Sequence, residues 1–142
     1  MIGIDAIGAA QTGISAALTQ VNAAAHNVVN VQSVAPMDEA AFQGERPLFS
    51  ENPSGGVSVA AIIPAGTEEG IPVTQPDNPM ADADGYVRLP DLDIAGEMVN
   101  LIAAEHAVAA NVTTISRAVD SYRELLAMTN SDRSRAAAVS EL

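Results

Sequence analysis

The chain has no cysteine and no lysine. The first absence removes disulfides, thiol nucleophiles and zinc–thiolate sites. The second removes Schiff-base chemistry and the lysine of a phosphate-binding loop. Six arginines are the only basic side chains against eighteen acids, for a net charge of −12. Nucleic acid and anionic bilayers both select cationic surfaces, so this balance argues against either as a partner. No apolar run approaches the roughly 20 residues that cross a membrane, so direct membrane insertion is not expected. The first 25 residues carry no base and no unbroken apolar stretch, and a cleaved secretory signal is not expected either. Tryptophan is absent and aromatic residues make up only 3% of the chain.

What is present is alanine. Of 142 residues 27 are Ala, while Leu, Ile, Val and Phe together number 34. That is more apolar material than disordered chains carry, yet it is low in bulk. Small apolar side chains in quantity point to helices that pack closely rather than to one thick core.

Charge and proline divide the chain into three. Residues 1–36 hold one acid, Asp5, and no base. Residues 37–97 hold twelve acids against Arg46 and Arg88, a net of −10. Residues 98–142 hold five acids and four arginines, a net of −1. All eight prolines fall between Pro36 and Pro90. The expected organisation is an N-terminal helix and turn over 1–36, an acidic β/loop segment over 37–90, a C-terminal helix over 91–128, and a polar tail over 129–142.

The N-terminal part predicts one helix from about residue 4 to 30. Ile4, Ile7, Gln11, Ile14, Leu18, Val21, Ala25 and Val28 alternate steps of three and four, the seam of a coiled coil. The C-terminal part keeps the same alternation from Ile94 through Met98, Leu101, Glu105, Val108, Val112, Ile115, Val119, Tyr122 and Leu126. Asp91 and Asp93 follow Pro90, where a carboxylate caps a helix start. A helix over 94–128 would be about 52 Å long.

A rod of that length gains most of its stability by packing its seam. The plainest arrangement pairs the two seams antiparallel within one chain, as a two-helix core. In one such register Gln11 lies near Val112 and Glu105 near Leu18. These two polar residues stand at core-type positions. Either each keeps its head group in water at the seam edge, or they set register and partner choice through contacts with other subunits.

The middle segment lacks a helical period. Val57, Val59, Ala61 and Ile63 alternate after Gly55-Gly56, which predicts a half-buried strand ending at Pro64. Ile71-Pro-Val and Gly85-Tyr-Val-Arg-Leu are further short strand candidates, with Asp84-Gly85 as a turn. Asp82-Ala-Asp84-Gly85 invites a calcium-loop reading, with Asp91 six residues on, but that loop would begin at Met80, which cannot ligate Ca²⁺. His26 and His106 have no partner at metal-binding spacing, and no nucleophile elbow or phosphate-binding glycine loop occurs. No catalytic constellation, metal site or cofactor site emerges, so the chain reads as a non-enzyme.

The run Thr12-Gly-Ile-Ser-Ala-Ala-Leu-Thr-Gln-Val-Asn-Ala-Ala-Ala-His-Asn-Val-Val-Asn30 resembles the N-terminal signature of bacterial flagellar basal-body rod and hook proteins. Asn78-Pro-Met-Ala-Asp-Ala-Asp-Gly-Tyr-Val-Arg-Leu-Pro-Asp-Leu-Asp-Ile-Ala-Gly-Glu-Met-Val-Asn-Leu-Ile102 is similar to the segment that leads into the terminal helix of proximal rod proteins. Phe42-Gln-Gly-Glu-Arg-Pro-Leu-Phe49 and Gly56-Val-Ser-Val fall between them in the same order. The resemblance covers residues 4 to about 128.

This resemblance implies a mainly α fold with a small β element, its terminal helices forming a coiled-coil-like core around the acidic middle. It implies a structural subunit of the proximal rod in the periplasm, exported by the flagellum's own type III apparatus without a cleaved signal. The partners it implies are copies of the chain and other axial proteins. By motif match, Asn27 and Asn30 fall on the family's asparagine pair and Glu97 on the acid of its terminal helix. A side-chain amide at Asn30 would satisfy backbone groups where helix gives way to loop. The assembly residues implied on the helices are Ile7, Gln11, Ile14, Leu18 and Val21, then Met98, Leu101, Glu105, Val108, Val112, Ile115 and Val119. Where the family tends to carry an Arg-x-Tyr-Gln cluster, this chain has His106, Val108 and Ala109. Two other readings stand beside this one: a diverged axial-protein paralogue, and a small acidic secretion chaperone that holds a partner's amphipathic helix.

Overall fold

A computed structural model of the chain describes residues 2–140; side chains are described from Asp5 to Ser131 and at Arg133. Six elements follow in order: α1 (Ile2–Asn30), β1 (Gly44–Glu51), β2 (Val57–Ala65), β3 (Ile71–Thr74), β4 (Tyr86–Leu89) and α2 (Ile94–Ser140). The architecture is mainly helical, with two small antiparallel sheets between two long helices.

α2 begins where the sequence places it. The Asp93 carboxylate accepts a hydrogen bond from the Ala95 N–H at 3.0 Å, satisfying a donor that the first helical turn leaves unpaired. The far end differs from expectation. Rather than stopping near 128, α2 runs to Ser140, 47 residues or about 70 Å. No Gly or Pro interrupts residues 97–140, and Ala136 to Ala138 favour helix. Thr129 and Ser131 turn their hydroxyls back onto the carbonyls of Leu125 and Ala127. Of the expected tail, residues 141 and 142 lie outside the described residues.

α1 and α2 pack antiparallel. The side chain of Asn111 lies so close to Gly13 that a Cβ there would stand 2.7 Å from its Nδ2, and Asn27 meets Glu97 at 3.1 Å. Both pairs give the same register, one residue from the pairing of Gln11 with Val112.

The contact surface itself corrects the sequence reading. The bulky seam was expected to form the two-helix core within the chain. The buried side chains of α1 are instead Ala10, Ala16, Ala17, Ala23, Ala24 and Asn27, and α2 buries Ala104. At about 100° per residue, the column 10–13–17–20–24–27 lies beside the seam rather than on it. Small side chains let the helix axes approach where Ile and Leu would hold them apart. The closest contact thus falls on the Ala/Gly column.

β1 and β2 form an antiparallel hairpin from Gly44↔Ala65 to Glu51↔Val57, with an irregularity between Leu48 and Phe49. β2 starts at Val57 as the alternation predicts and continues through Pro64, which pairs with Glu45. β1, with Arg46-Pro47 inside it, carries no strand signal in the sequence. Each strand of a two-stranded ribbon has a free edge, and a proline nitrogen facing it costs no ladder bond. The β2 strand is also less covered than the alternation suggests, since Val59 and Ala61 are exposed. β3 pairs with β4 from Ile71↔Leu89 to Thr74↔Tyr86, and Ala35 bridges Arg88. In the connecting turn the Asp82 carboxylate accepts the N–H groups of Asp84 and Tyr86, which commits one of its oxygens to the backbone. Among the described residues no three His, Cys, Asp or Glu side chains gather as a metal site would require.

Candidate functional site

Two arrangements stand out, a buried polar junction and an uncovered apolar stripe. The junction is centred on Asn27, the one fully buried polar side chain among the described residues, with no surface exposed. Its Oδ1 accepts the Glu45 N–H at 2.7 Å. Its Nδ2 donates to the Glu45 carbonyl at 2.9 Å and to Glu97 Oε1 at 3.1 Å. One amide therefore pairs like a neighbouring strand with the backbone of β1 and at the same time holds α2. Gly44 is the required neighbour: a Cβ on it would lie 2.7 Å from Asn27 Oδ1 and 2.8 Å from Leu92 Cδ2. Outside the junction, His26 Nδ1 stands 3.5 Å from Glu45 Oε1 and meets the Phe42 ring edge-on at 5.4 Å.

A second latch holds the other end of the hairpin. Thr12 Oγ1 donates to the Ala9 carbonyl at 2.8 Å and accepts the Val57 N–H at 3.0 Å. Gly56, at φ +90, abuts Thr12 and the Ala9 backbone, so a side chain there has neither the space nor the conformation. Asn27 and Thr12 are fifteen residues apart, about 22 Å along α1. The hairpin accordingly lies along α1, pinned at both ends. Thr12, Gly44, Glu45 and Gly56 fall inside the motif runs, but nothing in the sequence gives any of them a contact. The available signal was a hydroxyl among alanines in α1 and the Gly55-Gly56 pair before β2.

The motif residues separate. Asn27 and Glu97 are brought together. Asn30 is not; it lies one turn on, half-buried, and donates to the carbonyl of His26 at 2.9 Å. The His26 carbonyl lies a full turn inside the helix, so this bond adds to the one from the Asn30 N–H; the end of α1 is closed instead by Ser33, whose N–H and hydroxyl both donate to the Asn30 carbonyl.

The stripe is what remains of the seam. Ile7, Ile14 and Val21 of α1 and Leu101, Val108 and Ile115 of α2 are half-buried along the edge of the helix pair. Beyond them Leu18 is 50% exposed, Met98 53% and Val112 52%, and Val119 is exposed too. Gln11 and Glu105 lie in the same exposed row with their head groups in water. Ile4 belongs to the row by spacing, but its side chain is outside those described. Ile14 and Val21 point roughly 180° away from Thr12, Ala16 and Ala23, which face the hairpin, at about 100° per residue. The helix pair therefore has one side covered by the hairpin and one open side on which most bulky seam residues stand.

A groove of about 460 Å³ between α1, α2 and the hairpin is lined by alanines with Phe49 and Val57, and its polar groups are the amides of Gln20, Asn100 and Asn111. Amides position ligands but do not move protons at neutral pH. No helix among the described residues is long and apolar enough to cross a membrane.

No family model matches the chain. Curated proteins do. The flagellar basal-body rod protein FlgC of Salmonella typhimurium is 34% identical over 112 residues, which span 75% of this chain and 83% of that protein. FlgC of Yersinia enterocolitica is 38% identical over the same shares of the two chains. FlgC of Borreliella burgdorferi is 24% identical across 86% of this chain and 94% of that protein.

Proposed function

Because the chain belongs to the FlgC family of flagellar basal-body rod proteins, we propose that it builds the proximal rod by assembling through the open side of its two helices. It is a structural rod subunit, as its relatives are, rather than an enzyme. The observation that carries the assembly reading is the row of large apolar side chains left uncovered on both helices, Leu18, Met98 and Val112 foremost. Burying such a row releases about 25 cal/mol per Å² of apolar surface removed from water. Contiguous exposed apolar surface on this scale marks an interaction face.

In this reading the parts divide as charge and proline divide the sequence. Residues 1–36 and 91–128 supply a coiled-coil-like inner layer, and the acidic segment over 37–90 faces outward. Ile7, Gln11, Ile14, Leu18, Val21, Met98, Leu101, Glu105, Val108, Val112, Ile115 and Val119 meet neighbouring subunits. Asn27, Asn30 and Glu97 shape the end of the helix pair that presents them. Neighbours are further copies and other axial proteins, and the assembled tube transmits torque across the periplasm. The flagellar export apparatus delivers the subunit without signal-peptide cleavage.

Deleting the gene should leave cells non-motile and without rods, and the protein should co-purify with wild-type basal bodies. Motile deletion cells with normal basal bodies would overturn the reading. A protein absent from basal bodies but held in a soluble complex with an axial subunit would favour the chaperone instead.

A further inference from the structure

Between Met98 and Val119 the uncovered stripe of α2 is interrupted by charge at one place. Glu105 stands one turn from Leu101 and from Val108, with Met98 and Val112 a further turn away on either side. Among the described residues no cation pairs with it. The ion pairs among those residues are His26 with Glu45 at 3.5 Å and Arg123 with Asp120 at 3.4 Å. His106 follows in sequence but points about 100° away round the helix.

While the stripe faces water, this carboxylate is solvated. Once a helix covers the stripe, the carboxylate loses that water, and without a counter-charge it opposes the contact. A second copy of the chain is a poor source of that counter-charge. Among the described residues the cation in line with Glu105 on that face is Arg123, eighteen residues or about five turns away and 3.4 Å from Asp120, and Arg133 lies farther still. The remaining surface of a second copy carries mostly further acid.

We propose that Glu105 determines which helix docks on the α2 stripe, and that the occupant is an amphipathic helix of a different axial subunit carrying an arginine or lysine within its apolar row. This rests on the rod reading and adds to it the chemistry of one neighbour. An apolar row without a base would bury the Glu105 charge unpaired, and a row with an acid would repel it. The residue thus selects by what it rejects as much as by what it binds.

The test places Glu105→Arg and Glu105→Gln in the full-length chain, expressed in cells lacking the native gene, and measures the protein in purified basal bodies beside the wild type. Glu105→Arg should reduce incorporation by more than about tenfold and Glu105→Gln by less, while the urea midpoint of the free protein stays unchanged because the side chain is exposed. Motile suppressors of Glu105→Arg should replace a lysine or arginine by an acid in the helix of another axial protein. Normal incorporation of Glu105→Arg would overturn the proposal. So would suppressors confined to Arg123 of this chain, which would make the occupant a second copy. If the wild-type protein itself were missing from basal bodies, the rod reading would fail first, independently of Glu105.

Discussion

The two sides of the helix pair follow opposite rules of composition. Inside, where α1 meets α2 and the hairpin, the buried side chains are Ala10, Ala17, Ala24 and Ala104, joined by the Asn27 amide. Outside, on the open stripe, stand Leu18, Met98, Val112 and Leu126. A self-contained domain places its bulk inside, because large side chains gain most from leaving water. Here small groups hold the chain together at short range, and large ones stand where the single chain leaves them uncovered. The hairpin repeats the pattern: its ends are fixed by Asn27 and Thr12, while Leu48, Phe49 and Ile62 remain exposed.

That contrast predicts substitutions of opposite consequence. The largest loss of folded stability should come from Asn27→Ala, which leaves the Glu45 backbone groups and Glu97 without their partner in a closed site. A cost of about 3 kcal/mol is expected from unpaired buried polar groups, read as a lower urea midpoint. Ala24→Leu should follow, since Ala24 is fully buried and added methylenes would push α1 and α2 apart. Overpacking of this kind costs about 2 kcal/mol. Thr12→Val keeps the shape but removes the acceptor of the Val57 N–H. It should cost about 1 kcal/mol and speed amide exchange at Val57 while leaving Glu45 protected. Val112→Ser on the open stripe should change the free protein by less than about 0.5 kcal/mol, yet reduce incorporation into basal bodies. Equal destabilisation by Ala24→Leu and Val112→Ser would break the contrast between the two sides.

The smallest expected effect concerns solution behaviour. The segment 37–97 carries a net of −10 while the two ends are nearly neutral. Repulsion between these middles should hold free subunits apart, and added salt screens it. Self-association of purified protein should therefore rise with salt. Indifference to salt would remove this role for the charge.

Much of the fold is legible from residue spacing. The 3–4 alternation locates both helices, Asp93 marks the start of α2, and the alternation after Gly56 opens β2. Spacing could not choose the contact face. It weights Ile, Leu and Val, so it pointed to the seam, while the column of Ala, Gly and Asn that meets within the chain is nearly silent in apolar periodicity. β1 was hidden for a different reason. Gly44–Glu51 has no alternation and contains Pro47; its conformation is imposed by β2 along one edge and by Asn27 at Glu45. α2 outlasts its apolar seam, which ends at Leu126, because breakers rather than the loss of a seam stop a helix, and no Gly or Pro occurs between residues 97 and 140. At the junction, the motif match named Asn27 and Glu97, but their meeting depends on the antiparallel register. Glu45 takes part through its backbone, which leaves no signature in residue type.

The claim that the open stripe is the assembly face can be tested in cells, because the chain has no cysteine of its own. Val112→Cys places a thiol on the open stripe and Ala104→Cys places one in the buried column. After labelling with a short thiol-reactive photo-cross-linker, which does not need an amine on the neighbour, Val112→Cys should yield adducts that co-purify with basal bodies, and Ala104→Cys should yield none between chains. Adducts from Ala104→Cys alone, or none from Val112→Cys in rods that contain the protein, would contradict the account.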